Sequence, residues 1–403
     1  MIKEFKPDDI VKSCPYIESG VWFNIRGIAC CCLSTYTSPE IITSEELNSG
    51  KVTYDLVLQR RRELFEGVND LREMDTGSCK FCSSLKEKKY KDVNFEYLGV
   101  QELPSGFNLQ FFTSCNLRCT YCIYTVQNNF VKPQYDIIPF IEMYRKRNKI
   151  KSNNWIDFNG GEPTLLENFD KILNYLLDNN IGNIGVYSNC VKYSQSIYDA
   201  LKENKIYLIN SIDAGTATTY QKLHGANVYN KVVENLIRYQ NSGTNNLQIK
   251  YIVCDNNRTD DDLYGFLFLI LAVRPGFCII SVDFPYGDKE IPIESAIFTA
   301  KMWYLLEKFG GITPMIQSDH ASIGDIKFYN FSKTIREEYK KLKEKNDFEK
   351  DWDLYKIKYQ KVVAPVAVTT KKPFNFSLFS VFKDEKYLTI TLFGIKLTIK
   401  LNK

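Results

Sequence analysis

Two histidines, His224 and His320, are all that 403 residues contain. Any metal centre in this chain must therefore be built almost wholly from other ligands. Long apolar runs are also lacking. The longest, around Phe266 to Val273, falls far short of the roughly 20 residues that cross a bilayer as a helix. The N-terminus shows no basic-then-apolar stretch of the kind that marks a signal peptide, so a soluble, cytoplasmic protein is expected. Nor is there an excess of charge of one sign. The 52 Lys and Arg against 48 Asp and Glu leave a net +4, which gives a nucleic-acid partner little electrostatic support. The basic run Lys86 to Lys91 reads as solvated surface.

What the chain has in quantity is hydrophobic side chains, 44% of residues with 14% aromatic, enough for a large packed core in two or three folded units. It also has 12 cysteines. Most of them fall in close clusters, which in a reducing compartment points to metal binding rather than to disulfides. Cys115, Cys119 and Cys122 are spaced C-x3-C-x2-C just after an alternating, aromatic-rich run. Three thiolates hold three corners of a four-iron cube and leave the fourth iron open to a small molecule, where an electron-carrying cluster is normally closed by a fourth Cys. A zinc site or buried free thiols are the plainer alternatives.

Along residues 107–285, strand-like runs alternate with helical ones. Phe107–Thr113, Trp155–Asn159, Asn183–Ser188, Ile206–Asp213, Leu247–Val253 and Phe277–Asp283 read as strands. Ile137–Arg147, Phe169–Asn179, Ser194–Glu203, Lys231–Asn241 and Asp260–Leu271 read as helices between them. Such alternation implies parallel strands with right-handed crossovers. Three further segments, Asn159-Gly160-Gly161-Glu162-Pro163, Tyr187-Ser188-Asn189 and Ser211-Ile212-Asp213, stand at the carboxyl ends of expected strands, where barrels gather their active sites. By itself Gly160 to Pro163 also suits an ordinary strand-to-helix turn, and Asp213 a turn or a helix cap. His224 reads as structural, and Asp283 as either a base or a loop residue.

Together these segments resemble the radical S-adenosylmethionine (SAM) superfamily. Cys115, Cys119 and Cys122 with Tyr121 match its C-x3-C-x-aromatic-C motif, and Gly160-Gly161-Glu162-Pro163 matches its GGEP segment. Ser188-Asn189 is similar to its ribose-side strand end, and Ser211-Ile212-Asp213 to the SxD strand end of its peptide-modifying branch. The resemblance implies a partial (β/α)6 TIM-like barrel over residues 105–288. It implies a [4Fe–4S] cluster on Cys115, Cys119 and Cys122 whose open iron chelates SAM, and one-electron cleavage of SAM to methionine and a 5′-deoxyadenosyl radical. It further implies that Tyr121 meets the adenine, that Gly160, Gly161 and Glu162 meet the methionyl ammonium, that Ser188 and Asn189 meet the ribose or carboxylate, and that Ser211 and Asp213 meet ribose hydroxyls. A reductant such as flavodoxin or ferredoxin would supply the electron.

Residues 1–104 hold a second set of thiols: Cys14, the triplet Cys30-Cys31-Cys32 after a short hairpin, and Cys79-Lys80-Phe81-Cys82. A helical stretch, Tyr54 to Gly67, carries Arg60-Arg61-Arg62 between them. Four thiolates make a complete cage for a [4Fe–4S] cluster or for structural zinc. This run resembles the SPASM and twitch auxiliary-cluster modules of radical SAM enzymes, although those usually follow the barrel and this one precedes it. The resemblance implies Cys14, Cys31, Cys79 and Cys82 as ligands, with Cys30 or Cys32 able to replace Cys31.

Residues 289–403 read as a C-terminal extension of helices, Ile293–Phe309 and a highly charged Phe331–Tyr359, followed by a β-hairpin from Phe374 to Leu401. The hairpin would cap the core, mediate self-association or dock peripherally on a membrane. Its last residues also resemble tails of proteins from bacterial surface-polysaccharide gene clusters, which implies a sugar or glycan precursor as substrate. The whole is expected to be an α/β radical SAM enzyme of oxidoreductase or isomerase type acting on a polar small molecule. Peptide modification is the alternative within enzymes, although no clear winged-helix pattern is visible. Outside enzymes the alternative is a non-catalytic iron–sulfur or zinc scaffold, or a redox sensor.

Overall fold

A computed structural model describes residues 5–31, 39–82, 84–93, 106–150, 152–282, 291–317 and 325–345, with Tyr355 and the backbone of 379–383, 387–392 and 395–400. Cys32, Asp283 and His320 lie outside the described residues. The chain divides into two compact units, residues 1–210 and 211–403.

The strands of the first unit are β1 (Ile10–Ser13), β2 (Val21–Asn24), β3 (Gly27–Ala29), β4 (Glu40–Thr43), β5 (Lys86–Lys89), β6 (Phe107–Leu109), β7 (Trp155–Phe158), β8 (Asn183–Tyr187) and β9 (Ile206–Ser211), whose last residue opens the second unit. Its helices are α1 (Pro15–Ser19), α2 (Ser44–Asn48), α3 (Tyr54–Val68), α4 (Ile123–Val126), α5 (Ile138–Lys146), α6 (Phe169–Asp178) and α7 (Gln195–Lys202). The sheet runs in the order β9-β8-β7-β6-β2-β3-β4, parallel from β9 to β2 and antiparallel beyond. N-terminal residues therefore extend the central sheet through the pair Val21↔Phe107.

Alternation makes these segments strands. Phe107, Leu109, Ile156 and Phe158 are buried, while Asn108, Trp155 and Asp157 between them are half-buried. One sheet face is thus packed and the other is partly open. Helix α6 buries Phe169, Ile172, Leu173 and Leu176 at helical spacing. On α5, Phe140 meets Phe23 edge-on at 5.4 Å and Tyr144 meets Phe107 at 5.8 Å.

In the second unit, β10 (Leu247–Val253), β11 (Phe277–Val282) and β12 (Met315–Gln317) lie parallel. Its helices are α8 (Ala217–His224), α9 (Tyr229–Gln240), α10 (Asp260–Val273), α11 (Ile293–Leu305) and α12 (Asp325–Lys345). Every residue of α10 from Asp262 to Ile270 is buried, so the chain's longest apolar run is a core helix. Among the described residues no helix is long and apolar enough to cross a membrane. Strands and helices alternate through both units, which makes the fold mixed α/β with parallel strands, as expected.

Two expectations change. The tail forms three antiparallel strands, β13 (Phe379–Lys383), β14 (Tyr387–Leu392) and β15 (Ile395–Lys400), rather than one hairpin. The second apolar run of the tail divides on either side of Phe393-Gly394, a dipeptide suited to a turn. The basic run is not merely solvated surface: β5 pairs with β1, and Lys88 Nζ lies 2.6 Å from Oε1 of the buried Glu18, which also accepts from Ser13 Oγ at 2.7 Å. Lys89 and Lys91 meet only the exposed Asp8, at 3.2 and 3.0 Å.

Removing the cation beside a buried carboxylate is costly, whereas exposed pairs contribute little. Lys88→Ala is expected to destabilise the fold by about 1–3 kcal/mol and Lys89→Ala by less than about 0.5 kcal/mol in urea unfolding. Equal effects would contradict this assignment.

Candidate functional site

The three thiols stand in the loop that leaves β6 and enters α4. Thr113 closes that loop: its N–H donates to Val131 O at 2.9 Å and its hydroxyl accepts from Val131 N at 2.7 Å. Arg118 pins the interior, donating to Cys115 O (2.8 Å) and Leu117 O (2.7 Å) with its guanidinium 3.8 Å from the Phe130 ring centroid. No sequence motif had singled out Arg118. Cys115, Cys119, Tyr121 and Cys122 are half-buried. Burial pushes the Cys115 thiol up, and charge on Glu162 or Cys122 adds to that, against hydrogen bonds from Leu117 and Asn189.

The end of β7 presses directly on this loop. Gly160 has φ +106°, and a Cβ there would meet Phe112 O at 2.7 Å, while one on Gly161 would meet Ser114 O at 2.2 Å. Only glycine permits this approach, in which Gly161 N donates to Phe112 O (3.1 Å) and Glu162 N to Ser114 O (2.8 Å).

Glu162 is buried, and its carboxylate faces inward. Oε1 accepts from Ser188 Oγ (2.8 Å), Thr164 N (3.1 Å) and Thr164 Oγ1 (2.6 Å), and Oε2 accepts from Asn189 N (2.7 Å). Burial pushes its pKa up while these donors hold it down. The carboxylate therefore ties the end of β7 to the end of β8. From there Asn189 Nδ2 reaches Asn116 Oδ1 at 2.7 Å and Cys115 Sγ at 3.7 Å. Cys115, Gly160, Gly161, Glu162, Ser188 and Asn189 are brought together in this way.

In the second unit Ser211 is half-buried at the end of β9. Asp213 is fully buried in a left-handed conformation, φ +51°, where Oδ1 accepts from Ile252 N (2.7 Å) and its carbonyl accepts from Asn257 Nδ2 (2.9 Å). Its carboxylate is thus engaged in bracing the turn after β9 against β10. His224 lies with Nε2 3.0 Å from Ile212 O and its ring stacked on Tyr220 at 4.2 Å; burial pushes it down to about 4, so it is neutral near pH 7.

Around the N-terminal thiols, Arg61 is the buried member of the arginine triplet. Its Nη1 donates to Tyr16 O (3.2 Å), Ile17 O (3.1 Å) and Cys30 Sγ (3.5 Å), and Nη2 donates to Gly20 O. Cys14 caps α1, accepting from Ile17 N at 3.5 Å. Burial pushes the Cys14 thiol up, with charge on Cys30 and Cys82 adding to it. Cys14, Cys30 and Cys79 are buried, whereas Cys31 and Cys82 are half-buried. Within the triplet, Cys30 Sγ faces Arg61.

On the partly open sheet face, β7 carries Asp157, an acid outside every motif. Trp155 Nε1 donates to its Oδ1 at 2.5 Å, and burial pushes its pKa up to about 7. The alternation Trp155-Ile156-Asp157-Phe158 was the available signal, since it places this acid on the face shared by Trp155 and Asn159.

Among the described residues no three His, Cys, Asp or Glu side chains form a ready-made metal position. The fit of the Cys115 loop to an iron–sulfur cluster rests on its donor set: three half-buried soft thiols on one loop, two of them close enough for the charge of one to raise the other. Residues 109–270 match the family profile described as the Radical SAM superfamily. The chain carries a radical SAM domain. Curated relatives include GTP 3′,8-cyclase of Clostridium botulinum, 26% identical over 160 residues (38% of this chain, 49% of that one). The same enzyme of Haemophilus influenzae is 22% identical over 188 residues, covering 44% of this chain and 55% of the relative. This chain thus spans about half the length of the curated relatives it matches. Among solved structures, SuiB of Streptococcus suis with bound S-adenosylmethionine superposes with TM-score 0.39 at 13% identity, over 51% of this chain and 45% of that one. A radical SAM methyltransferase from Sphaerobacter thermophilus gives TM-score 0.38 at 14% identity, over 52% and 65%.

Hydrogen bonds to a buried charged group are worth about 1.5–3 kcal/mol each on removal of the partner. Glu162→Ala is therefore expected to lower stability by at least about 2 kcal/mol; a loss below about 0.5 kcal/mol in chemical unfolding would contradict the tie it makes. Asp157 gives a pH signature. Its folded-state pKa, about 7, lies above the ordinary value of 3.8, so its contribution to stability is complete below 3.8 and is lost as pH rises through about 7. Asp157→Asn removes that loss. The melting temperature of the variant minus that of the wild type should increase from pH 5 to pH 8, and a difference independent of pH would refute the shift.

Proposed function

We propose that this chain is an enzyme that reductively cleaves SAM and directs the resulting 5′-deoxyadenosyl radical at a C–H bond of a polar substrate. The observation that carries the reading is the convergence on Cys115 of the glycine turn after β7 and the Ser188-Asn189 end of β8. Cys115, Cys119 and Cys122 would hold a [4Fe–4S] cluster and leave one iron for SAM, which supplies the radical. Gly160 and Gly161 bring backbone to the methionyl end of SAM, and Glu162 holds that backbone and Asn189 in place. Ser188, Asn189, Ser211 and Asp213 serve the ribose side and Tyr121 the adenine, with Asp213 acting through the turn that it braces.

The reaction proposed is a net oxidation or an isomerisation, with flavodoxin or ferredoxin as electron donor. A sugar or glycan precursor, which the likeness of the tail suggests, is one substrate class, and none of the relatives named above supports it. A peptide is the other class. In the N-terminal region, Cys14, Cys79 and Cys82 with one thiol of the triplet would hold a second [4Fe–4S] cluster or zinc. The position of Cys30 beside the buried Arg61 favours it over Cys31, because a buried guanidinium offsets the negative charge of a metal–thiolate cage.

Anaerobic reconstitution followed by SAM and dithionite tests the reading. Wild-type protein should release 5′-deoxyadenosine. The variant with Cys115, Cys119 and Cys122 all changed to Ala should release none and lose about four irons per chain while keeping its N-terminal metal. Iron-loaded wild-type protein that never yields 5′-deoxyadenosine, even with candidate substrates present, would point instead to a scaffold or redox sensor.

A further inference from the structure

Four residues stand in register across the partly open face of the first unit's sheet: Asn108 on β6, Asp157 on β7, Gly185 on β8 and Tyr207 on β9. Beside this row, Trp155 stacks on Tyr207 with ring centroids 5.9 Å apart and planes 30° from parallel. At about 3.3 Å per residue along a strand, Asp157 lies about 10 Å from the glycine turn at Gly160. It belongs to the same strand as that turn but is not part of the thiol loop.

Space at this acid is kept by glycine. A Cβ on Gly185 would lie 2.8 Å from Asp157 Oδ1 and 3.5 Å from Trp155 Cζ2. The half-buried carboxylate has few donors. Among the described residues its hydrogen-bond donor is the neutral indole of Trp155, and no cation pairs with it, whereas the buried Glu162 has four donor contacts and the buried Glu18 has Lys88. Buried carboxylates are ordinarily paired with a cation or surrounded by donors. The groups that share its face are amide, indole, phenol and glycine, from Asn108, Asn159, Trp155, Tyr207 and Gly185, so the neighbouring strands supply no charge. A carboxylate flanked by aromatic rings is the surrounding that a cationic nitrogen selects.

We propose that Asp157 binds a cationic nitrogen of the substrate, an amine or a guanidine, beside the stacked pair of Trp155 and Tyr207. Only the word substrate rests on the radical SAM reading. The ammonium N–H donates to Asp157 Oδ2, the oxygen that does not accept from Trp155. On this assignment the substrate class narrows to amine-bearing molecules, such as amino sugars or peptides with basic side chains.

The test uses n-butylammonium as the probe and 1-butanol as its neutral counterpart, added without SAM to the anaerobically reconstituted 403-residue chain. At pH 6.5 the infrared band of the protonated Asp157 carboxyl, isolated by subtracting the Asp157→Asn spectrum, should disappear with butylammonium and persist with butanol. Calorimetry should show butylammonium binding at least about ten-fold weaker in Asp157→Asn, a loss of about 1.4 kcal/mol. A band that ignores butylammonium, or equal binding by Asp157→Asn and wild type, would overturn the proposal. Deoxyadenosine release by the wild type, assayed in parallel, reports separately on the radical reading: its absence with a responsive Asp157 would remove that reading and leave the cation site standing.

Discussion

The Glu162 carboxylate sits where water does not reach, and it stays there because Ser188, Asn189 and Thr164 all donate to it. Desolvating a carboxylate is unfavourable by several kcal/mol unless donors replace the lost water, so those three residues cannot move independently of it. The strand ends are thereby locked together. Asn189 is held with its amide against Cys115, and the backbone from Gly160 to Glu162 is held against Phe112 and Ser114. The thiol loop inherits its position from this lock, together with the internal clamp of Arg118.

Close approach is the second half of the same constraint. The glycine turn contacts the loop backbone at distances that leave no room for a Cβ at either position, and a Cβ on Gly185 would lie 2.8 Å from Asp157 Oδ1 one strand away. Glycine is usually explained by its conformational freedom, but at Gly161 and Gly185 the reason is space alone, since neither has a positive φ. Along β7 the sheet thus carries two kinds of polar site. At the strand end the glycine turn meets the thiol loop, and within the strand Asp157 accepts from the indole of Trp155.

Much of this was legible because alternation and helical spacing survive in the sequence. The strand Leu247–Val253 is read with its observed bounds, and Trp155–Phe158 to within a residue, since buried and half-buried side chains alternate along them. The GGEP-like turn and the thiol spacing were legible as well, because backbone approach and ligand geometry constrain residue type at fixed intervals. Other features depend on partners distant in sequence. Nothing local distinguishes Arg61 from Arg60 and Arg62, or Lys88 from Lys89. Only the folded chain shows that Arg61 faces Cys30 and Lys88 faces Glu18. Helix α8 was missed because Tyr220 and Leu223 are its only large apolar buried side chains, too few to show a period. The inward turn of the Glu162 carboxylate was also invisible, since a motif records the residue and not the direction of its side chain.

The central claim is that three thiols held by this lock present an open iron to SAM. The most direct measurement is electron–nuclear double resonance on the reduced, reconstituted protein mixed with SAM labelled with 15N at the amino group and 17O at the carboxylate. The account predicts hyperfine coupling of both labels to the cluster, as expected of direct ligation to one iron. A cluster signal that shows neither coupling at saturating SAM would contradict it.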